Sequence, residues 1–137
     1  MVIETARRLT SLGGDVLKAE FPVDYQFDTD EKTWSDACAE LTAASRAPWV
    51  LLSASAEYDL FLRMVRVACQ QGCTGVAVGR AVWQEAASLA GPEREQFLRN
   101  VARPRMQQIT KLCAELGRPW GAIYTPVVVD AGWHQAY

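Results

Sequence analysis

The sequence predicts an α/β fold in which short parallel strands alternate with helices. Segments with apolar residues at helical spacing alternate along the chain with short apolar runs. The run PWVLLS at 48–53 is apolar up to its final serine, which is typical of a parallel strand covered on both faces. The intervals from position 18 to 53 and from 53 to 79 match the length of ordinary βαβ crossover units.

The ends of the predicted elements are marked by turn-forming residues. In order, the elements are helices over 2–12, 31–45, 57–71, 81–90 and 92–116 and strands over 15–21, 48–53 and 74–78. Gly13-Gly14 ends the first helix, Pro22 closes the first strand and Gly72 ends the third helix. Asp30 is placed to cap the second helix. Residues 118–137, rich in proline, glycine and aromatic residues, are predicted to be a tail packed over the surface.

The cysteines and tryptophans are predicted to be packing residues. Cys38, Cys69 and Cys113 fall on apolar stripes of predicted helices, which favours small core residues over metal ligands or disulfide partners. A single histidine, His134, completes no zinc-ligand pattern with them, so no metal or cofactor is predicted. Three tryptophans are likewise assigned to packing rather than to sugar binding: Trp34, Trp49 and Trp83.

Composition indicates one soluble globular domain over 1–137. The 137 residues are 50% hydrophobic and 22% charged, with a net charge of -2. This balance gives no electrostatic basis for binding nucleic acid or an anionic membrane. No apolar run approaches the roughly 18 residues that span a bilayer, and no signal-peptide pattern opens the chain. A cytoplasmic location is therefore predicted.

Three motifs in order resemble the C-terminal part of a known enzyme family. They are DVLKAEFPV at 15–23, PWVLLSAS at 48–55 and GVAVGRAVWQEA at 75–86. Together they are similar to class I aldolases of the tagatose 1,6-bisphosphate aldolase type, which include the sulfofructose-phosphate aldolases. The resemblance implies a partial TIM (β/α)8 barrel, in which the three motifs correspond to strands six to eight.

The resemblance also implies roles for individual residues. Lys18 corresponds to the family's Schiff-base lysine and Ser53 to its seventh-strand serine. Gly79 and Arg80 correspond to the pair that handles the anionic end of the substrate. Loops after strands seven and eight of such barrels commonly bind phosphate through backbone N–H groups. Ser55 stands where the family usually has glycine, so its side chain is expected to narrow the backbone's approach to a phosphate or sulfonate.

The residues themselves leave alternatives open. A strand lysine facing an apolar interior suits Schiff-base chemistry because burial disfavours the ammonium form, but a lysine beside a strand is commonly only solvated. Glu20 follows Lys18 by two residues and therefore points to the same side of the strand. It is predicted either to assist proton transfer or to form a structural ion pair with Lys18. Arg80 is alternatively a solvated helix-start residue, and Ser53 a hydroxyl that caps a strand end.

The implied reaction is reversible retro-aldol cleavage of a phosphorylated ketose to dihydroxyacetone phosphate and an aldehyde, without a cofactor. The first five barrel strands have no counterpart, and three parallel strands leave two open edges. The expected partners are a sugar phosphate or sulfonate substrate and either further copies of the chain or a complementing barrel segment. The isolated chain is predicted to be inactive or very weak. The alternative is a non-catalytic (βα)3 remnant that binds anions and oligomerises.

Overall fold

The computed structural model describes residues 1–125 and 128–135 and contains a three-stranded parallel sheet. Its strands are β1 (Leu17–Ala19), β2 (Trp49–Leu52) and β3 (Gly75–Ala77), which lie side by side in that order. β2 pairs in parallel with both neighbours. The predicted α/β class with parallel strands is confirmed, and all three strands occur where the apolar runs placed them.

Helices connect and follow the strands. Their bounds are α1 (Val2–Leu9), α2 (Glu31–Ala44), α3 (Tyr58–Gln70), α4 (Arg80–Trp83), α5 (Gly91–Phe97) and α6 (Arg103–Leu116). The predicted helix over 92–116 is continuous, because a π-helical segment at Leu98–Ala102 joins α5 to α6. The predicted helix over 81–90 is only partly α-helical, since α4 passes into a 3₁₀ segment at Gln84–Ser88.

The sheet has one covered face and one open face. Trp49 and Leu51 are buried, whereas Val50 and Leu52, which alternate with them along β2, are only partly buried. A sequential strand order with right-handed crossovers places the connecting helices on the same side of a parallel sheet. This is the winding of a (βα) barrel rather than of a doubly wound sheet, and the described fold is a partial TIM barrel of three strands with their helices.

Local signals in the sequence account for several element ends. The Asp30 carboxylate accepts a hydrogen bond from the Lys32 backbone N–H at 3.0 Å, which confirms the predicted cap of α2. The first helix ends through a 3₁₀ turn at Gly13, whose φ of 101° lies in the left-handed region. The first strand is shorter than the predicted 15–21, because β1 is an edge strand and pairs with β2 through only three residues.

The core lies between the covered face of the sheet and the helices. Its largest fully buried side chains include Trp34, Trp49 and Phe61. Trp83 was also predicted to pack, but it is 45% exposed. Cys38 and Cys69 are buried as predicted, while Cys113 is partly exposed.

The beginning of the predicted tail contacts the body of the domain. The Arg118 backbone N–H donates to the Cys73 carbonyl oxygen at 3.0 Å, and the Tyr124 hydroxyl donates to the Asp15 carbonyl oxygen. Positions 126, 127, 136 and 137 of the tail lie outside the described residues. Among the helices of the described segments, none combines the length and apolarity needed to cross a membrane.

Candidate functional site

The predicted site residues lie on the open face of the sheet or in the loops after its carboxyl ends. Lys18 is the register partner of Val50, and Val50 is the register partner of Gly75. Paired residues of parallel strands share a face, so Lys18 lies on the same side of the sheet as partly buried Val50 and opposite to buried Ala19. In a closed barrel this face is the interior.

Lys18 occupies the middle of β1 and is exposed. The expected burial in an apolar interior is therefore not present, because no described segment covers this face of the sheet. The ammonium group has no hydrogen bond or ion pair with any described residue. The other two lysines of the chain both do: Lys32 contacts Asp36 at 2.7 Å and Lys111 contacts Glu115 at 3.8 Å.

Glu20 comes directly after the last residue of β1 and is exposed. The predicted ion pair with Lys18 is wrong, since the structure contains no contact between the two charged groups within 4.0 Å. Both residues border a shallow cavity of about 250 Å³ beside β1, together with apolar groups from the start of α1, including Val2. The Glu20 carboxylate is thus beside the lysine without neutralising it.

The loop after β2 is a tight turn with a strained backbone. The Ala56 N–H donates to the Ser53 carbonyl oxygen at 2.8 Å, and the two residues between them, Ala54 and Ser55, have φ values of 44° and 63°. These values define a type I′ turn, a conformation that glycine adopts far more easily than other residues. Ser55 thus holds a conformation that favours glycine, the residue expected there from the family pattern.

The Ser53 hydroxyl is available at this turn. Only 6% of the residue's surface is exposed, and its Oγ forms no hydrogen bond among the described residues. Since no fully buried side-chain oxygen in these segments lacks a partner, the Oγ itself is reached by solvent. Extending the β2–β3 register by one residue places Ser53 opposite Val78, at a lateral strand spacing of about 5 Å. The loops after the two strands are therefore neighbours, as their predicted joint role requires.

Arg80 is the first residue of α4, Gly79 directly precedes it, and only Val78 separates this pair from β3. The Gly79 carbonyl oxygen accepts from the Val82 N–H at 2.8 Å, while the first N–H groups of a helix have no acceptor within the helix. Arg80 is exposed and forms no ion pair with any described carboxylate. Its side chain borders a cavity of about 200 Å³ that is also lined by residues at the start of α3 and in the 3₁₀ segment after α4, including Tyr58 and Glu85.

One residue that the sequence did not point to contacts two side chains in the lining of this cavity, Glu85 and Tyr58. Arg105, on α6, donates to the Val82 carbonyl oxygen at 3.2 Å and to Glu85 Oε1 at 2.8 Å. Its guanidinium carbon lies 4.8 Å from the centroid of the Tyr58 ring. No local pattern signals this role, since Arg105 is separated from Glu85 by 20 positions and from Tyr58 by 47.

The described residues provide no metal-binding constellation. No group of three or more His, Cys, Asp or Glu side chains in these segments is arranged to hold a metal ion. The predicted site residues themselves contribute an amine from Lys18, a carboxylate from Glu20, hydroxyls from Ser53 and Ser55 and a guanidinium from Arg80.

Comparison with known proteins gives two consistent results. A family model described as DeoC/LacD family aldolase matches residues 1–85, a segment that contains every predicted site residue. Tagatose 1,6-diphosphate aldolases from Listeria monocytogenes and Listeria innocua are each 27% identical over 127 residues. These alignments cover 82% of this chain and 38% of each relative, so the chain spans well under half the length of those enzymes.

Proposed function

The chain belongs to the DeoC/LacD family of aldolases, and on that premise we propose that it carries the Schiff-base half of a class I aldolase site. In this proposal Lys18 is the nucleophile, and Glu20 assists proton transfer. The turn at Ser53–Ser55 and the loop at Gly79-Arg80 bind the anionic end of the substrate. The protein is proposed to act in the cytoplasm.

The observation that carries the proposal is the environment of Lys18. It is the one lysine of three that has no carboxylate partner among the described residues, and it lies on the sheet face that a barrel turns inward. A nucleophilic amine must be uncharged, and an adjacent carboxylate pairing would stabilise the ammonium form instead. Covering the open face would desolvate Lys18 and favour the neutral amine.

The proposed reaction is retro-aldol cleavage of a phosphorylated ketose. The neutral Lys18 amine attacks the ketone carbon, and loss of water gives a protonated imine. A base then removes the proton of the hydroxyl on the β carbon, and the bond between the α and β carbons breaks. Its electron pair moves toward the imine, which becomes an enamine, and the β carbon leaves as the aldehyde. Protonation of the enamine and hydrolysis then regenerate Lys18 and release dihydroxyacetone phosphate. Glu20, which borders the same cavity as Lys18, is the proposed carrier of these protons.

The proposed anion site combines two neighbouring loops. The unpaired Arg80 guanidinium, which borders the cavity, offers a permanently charged fork for a phosphate or sulfonate. The Ser53 hydroxyl adds a donor without an internal partner. Tagatose 1,6-bisphosphate and sulfofructose phosphate are the proposed substrate types, since both have such an anionic group.

The open face of the sheet also favours a second candidate. Because Lys18 is exposed, we expect the 137-residue chain alone to have weak or no aldolase turnover. A complementing barrel segment or further copies of the chain would have to cover the face for full activity. If none does, the chain is a non-catalytic binder of sugar phosphates. Turnover of tagatose or fructose 1,6-bisphosphate by the isolated chain at normal aldolase rates would contradict this expectation.

Borohydride trapping tests the Schiff base directly. The protein is incubated with dihydroxyacetone phosphate, reduced with sodium borohydride and analysed by peptide mass spectrometry. We expect one reduced adduct, on Lys18, which disappears in Lys18→Met and remains in the matched variants Lys32→Met and Lys111→Met. An adduct spread evenly over the three lysines would refute the assignment of Lys18. No adduct, with measurable phosphate binding, would favour the non-catalytic binder.

A further inference from the structure

Arg105 packs behind the cavity that Arg80 borders and is largely enclosed. Only 22% of its side chain is exposed. One guanidinium nitrogen donates both to the Val82 carbonyl oxygen in α4 and to Glu85 Oε1 in the segment that follows. The guanidinium also lies over the ring of Tyr58, the first residue of α3. Arg105 thus fastens α6 to the two elements that begin at the proposed anion site.

The partner of Arg105 is a potential competitor for Arg80. Glu85 and Arg80 line the same cavity, yet the carboxylate is bonded to Arg105, and Arg80 has no carboxylate within 4.0 Å in the described residues. Although partial burial acts to raise the pKa of Glu85, its own backbone N–H and the Arg105 guanidinium hold that pKa below its usual value. Glu85 is therefore ionised at neutral pH and would attract an unpaired guanidinium.

We propose that Arg105 is a positioning residue of the anion site, which holds the Glu85 carboxylate away from Arg80 and so keeps Arg80 available to a phosphate or sulfonate. The inference rests on the proposed function of Arg80. Arg105 itself does not contact the ligand. In its absence the Glu85 carboxylate would be released into the cavity, where it would pair with Arg80 and repel an incoming anion.

The test is a double-substitution series with inorganic phosphate as the probe, measured by titration calorimetry on the full 137-residue chain. Arg105→Gln keeps an amide donor for the Val82 carbonyl but removes the charge that holds Glu85. We expect it to weaken phosphate binding about threefold or more. Adding Glu85→Gln to Arg105→Gln is expected to restore the affinity, because the carboxylate that Arg105 had held is then absent. Glu57, the other carboxylate that lines the cavity, is the same in every variant of the series. The single Glu85→Gln variant sets the level against which that recovery is judged.

Two further variants separate charge from structure. Arg99→Gln removes an exposed arginine from the neighbouring π-helical segment and is expected to leave the affinity unchanged. This variant controls for the loss of one positive charge from the protein as a whole. Arg105→Lys keeps a cation for Glu85 and is expected to bind like the wild type, which preserves the test if Arg105→Gln does not fold. A loss of affinity in Arg105→Lys as large as that in Arg105→Gln would overturn the proposal.

The same measurements distinguish a failure of the proposed anion site from a failure of the proposed role of Arg105. If Arg80→Gln binds phosphate as well as the wild type, or the wild type does not bind it, the anion site fails and the role of Arg105 fails with it. If Arg80→Gln weakens binding but Arg105→Gln does not, only the role of Arg105 fails. A loss in Arg105→Gln that Glu85→Gln does not recover shows a purely structural contribution and likewise overturns the inference.

Discussion

The indole nitrogen of Trp49 lies 2.9 Å from the hydroxyl oxygen of Thr42, to which it donates a hydrogen bond. The same hydroxyl donates to the carbonyl oxygen of Gln71, just after α3. One side chain on α2 thereby connects the first residue of β2 to the end of the next helix. Trp49 is almost fully buried, so this hydroxyl is the partner that makes burial of its N–H tolerable.

We expect Thr42→Val to destabilise the protein. The substitution keeps the shape of the side chain but removes the acceptor of the Trp49 N–H and the donor to Gln71, and an unsatisfied buried polar group costs about 1–3 kcal/mol. Urea unfolding followed by tryptophan fluorescence measures the effect. Thr110→Val is the matched control, since the hydroxyl of exposed Thr110 bonds only to the preceding turn of its own helix. Equal losses in the two variants would contradict the role of Thr42.

A side chain at position 72 should lower the free energy of unfolding, in part because Gly72 lies against the same threonine. Its φ of 96° is in the left-handed region, and a Cβ built on it would lie 2.9 Å from Thr42 Cγ2. Gly72→Ala is expected to cost about 2 kcal/mol, from backbone strain and steric overlap combined. Gly13→Ala has similar strain but open space around it, so its cost should be smaller.

The overlap at Gly72 can be relieved separately from the strain. Thr42→Ser removes Cγ2 and keeps the hydroxyl that bonds to Trp49. In the Thr42→Ser background, Gly72→Ala should therefore cost about the same as Gly13→Ala in the wild type. Denaturant unfolding of the wild type, the three single variants Gly13→Ala, Gly72→Ala and Thr42→Ser, and the double variant tests this. An undiminished cost of Gly72→Ala in the Thr42→Ser background would show that the contact with Cγ2 is not the cause.

The order of the secondary-structure elements and the fold class were predictable because the sequence signals for them are local. The apolar run at 48–53, the cap at Asp30 and the stop at Gly13 act within a few residues, and each is found where it was expected. The length of β1 was not predictable in the same way. An edge strand is only as long as its pairing with a neighbour, and that pairing depends on residues about 30 positions away.

The motifs named Lys18, Ser53 and Arg80 as site residues, and that assignment stays a prediction. Their environment could not be predicted from the sequence, because the exposure of Lys18 depends on which segments cover the open face of the sheet. The Lys18–Glu20 pair failed because a shared side of a strand brings two side chains near each other without bringing their charges together. Arg105 was missed because its contacts join α6 to α3 and α4, and such contacts leave no periodic trace in the sequence.

Ser55→Gly should stabilise the turn after β2. Ser55 has a φ of 63°, which is strained for a residue with a Cβ, and glycine relieves that strain at the cost of greater freedom in the unfolded chain. The net gain in unfolding free energy should be about 0.5–1 kcal/mol. Ser35→Gly, within α2, is the matched control and should instead destabilise by about 0.5 kcal/mol. A loss of stability in Ser55→Gly would show that the serine side chain contributes more than its backbone strain costs.

The four thiols should differ in reactivity, with Cys113 reacting first. A hydrogen bond from Cys69 lowers the pKa of Cys113, which is partly exposed, whereas burial raises the pKa of Cys38 to about 12. Cys73 is fully buried, so a reagent does not reach its thiol in the folded protein. The thiolate is the reactive form, and its fraction rises as the pH increases through the pKa.

Alkylation of the native protein with iodoacetamide, followed by peptide mass spectrometry, measures this order. Modification at Cys113 should be the fastest of the four and should increase as the pH rises from 7 to 8.5, while Cys38 stays unmodified until the protein is unfolded. Cys113→Ser provides the control, because it should abolish the fast phase without exposing the other thiols. Modification of Cys38 at a rate similar to that of Cys113 in the folded protein would contradict the burial of Cys38.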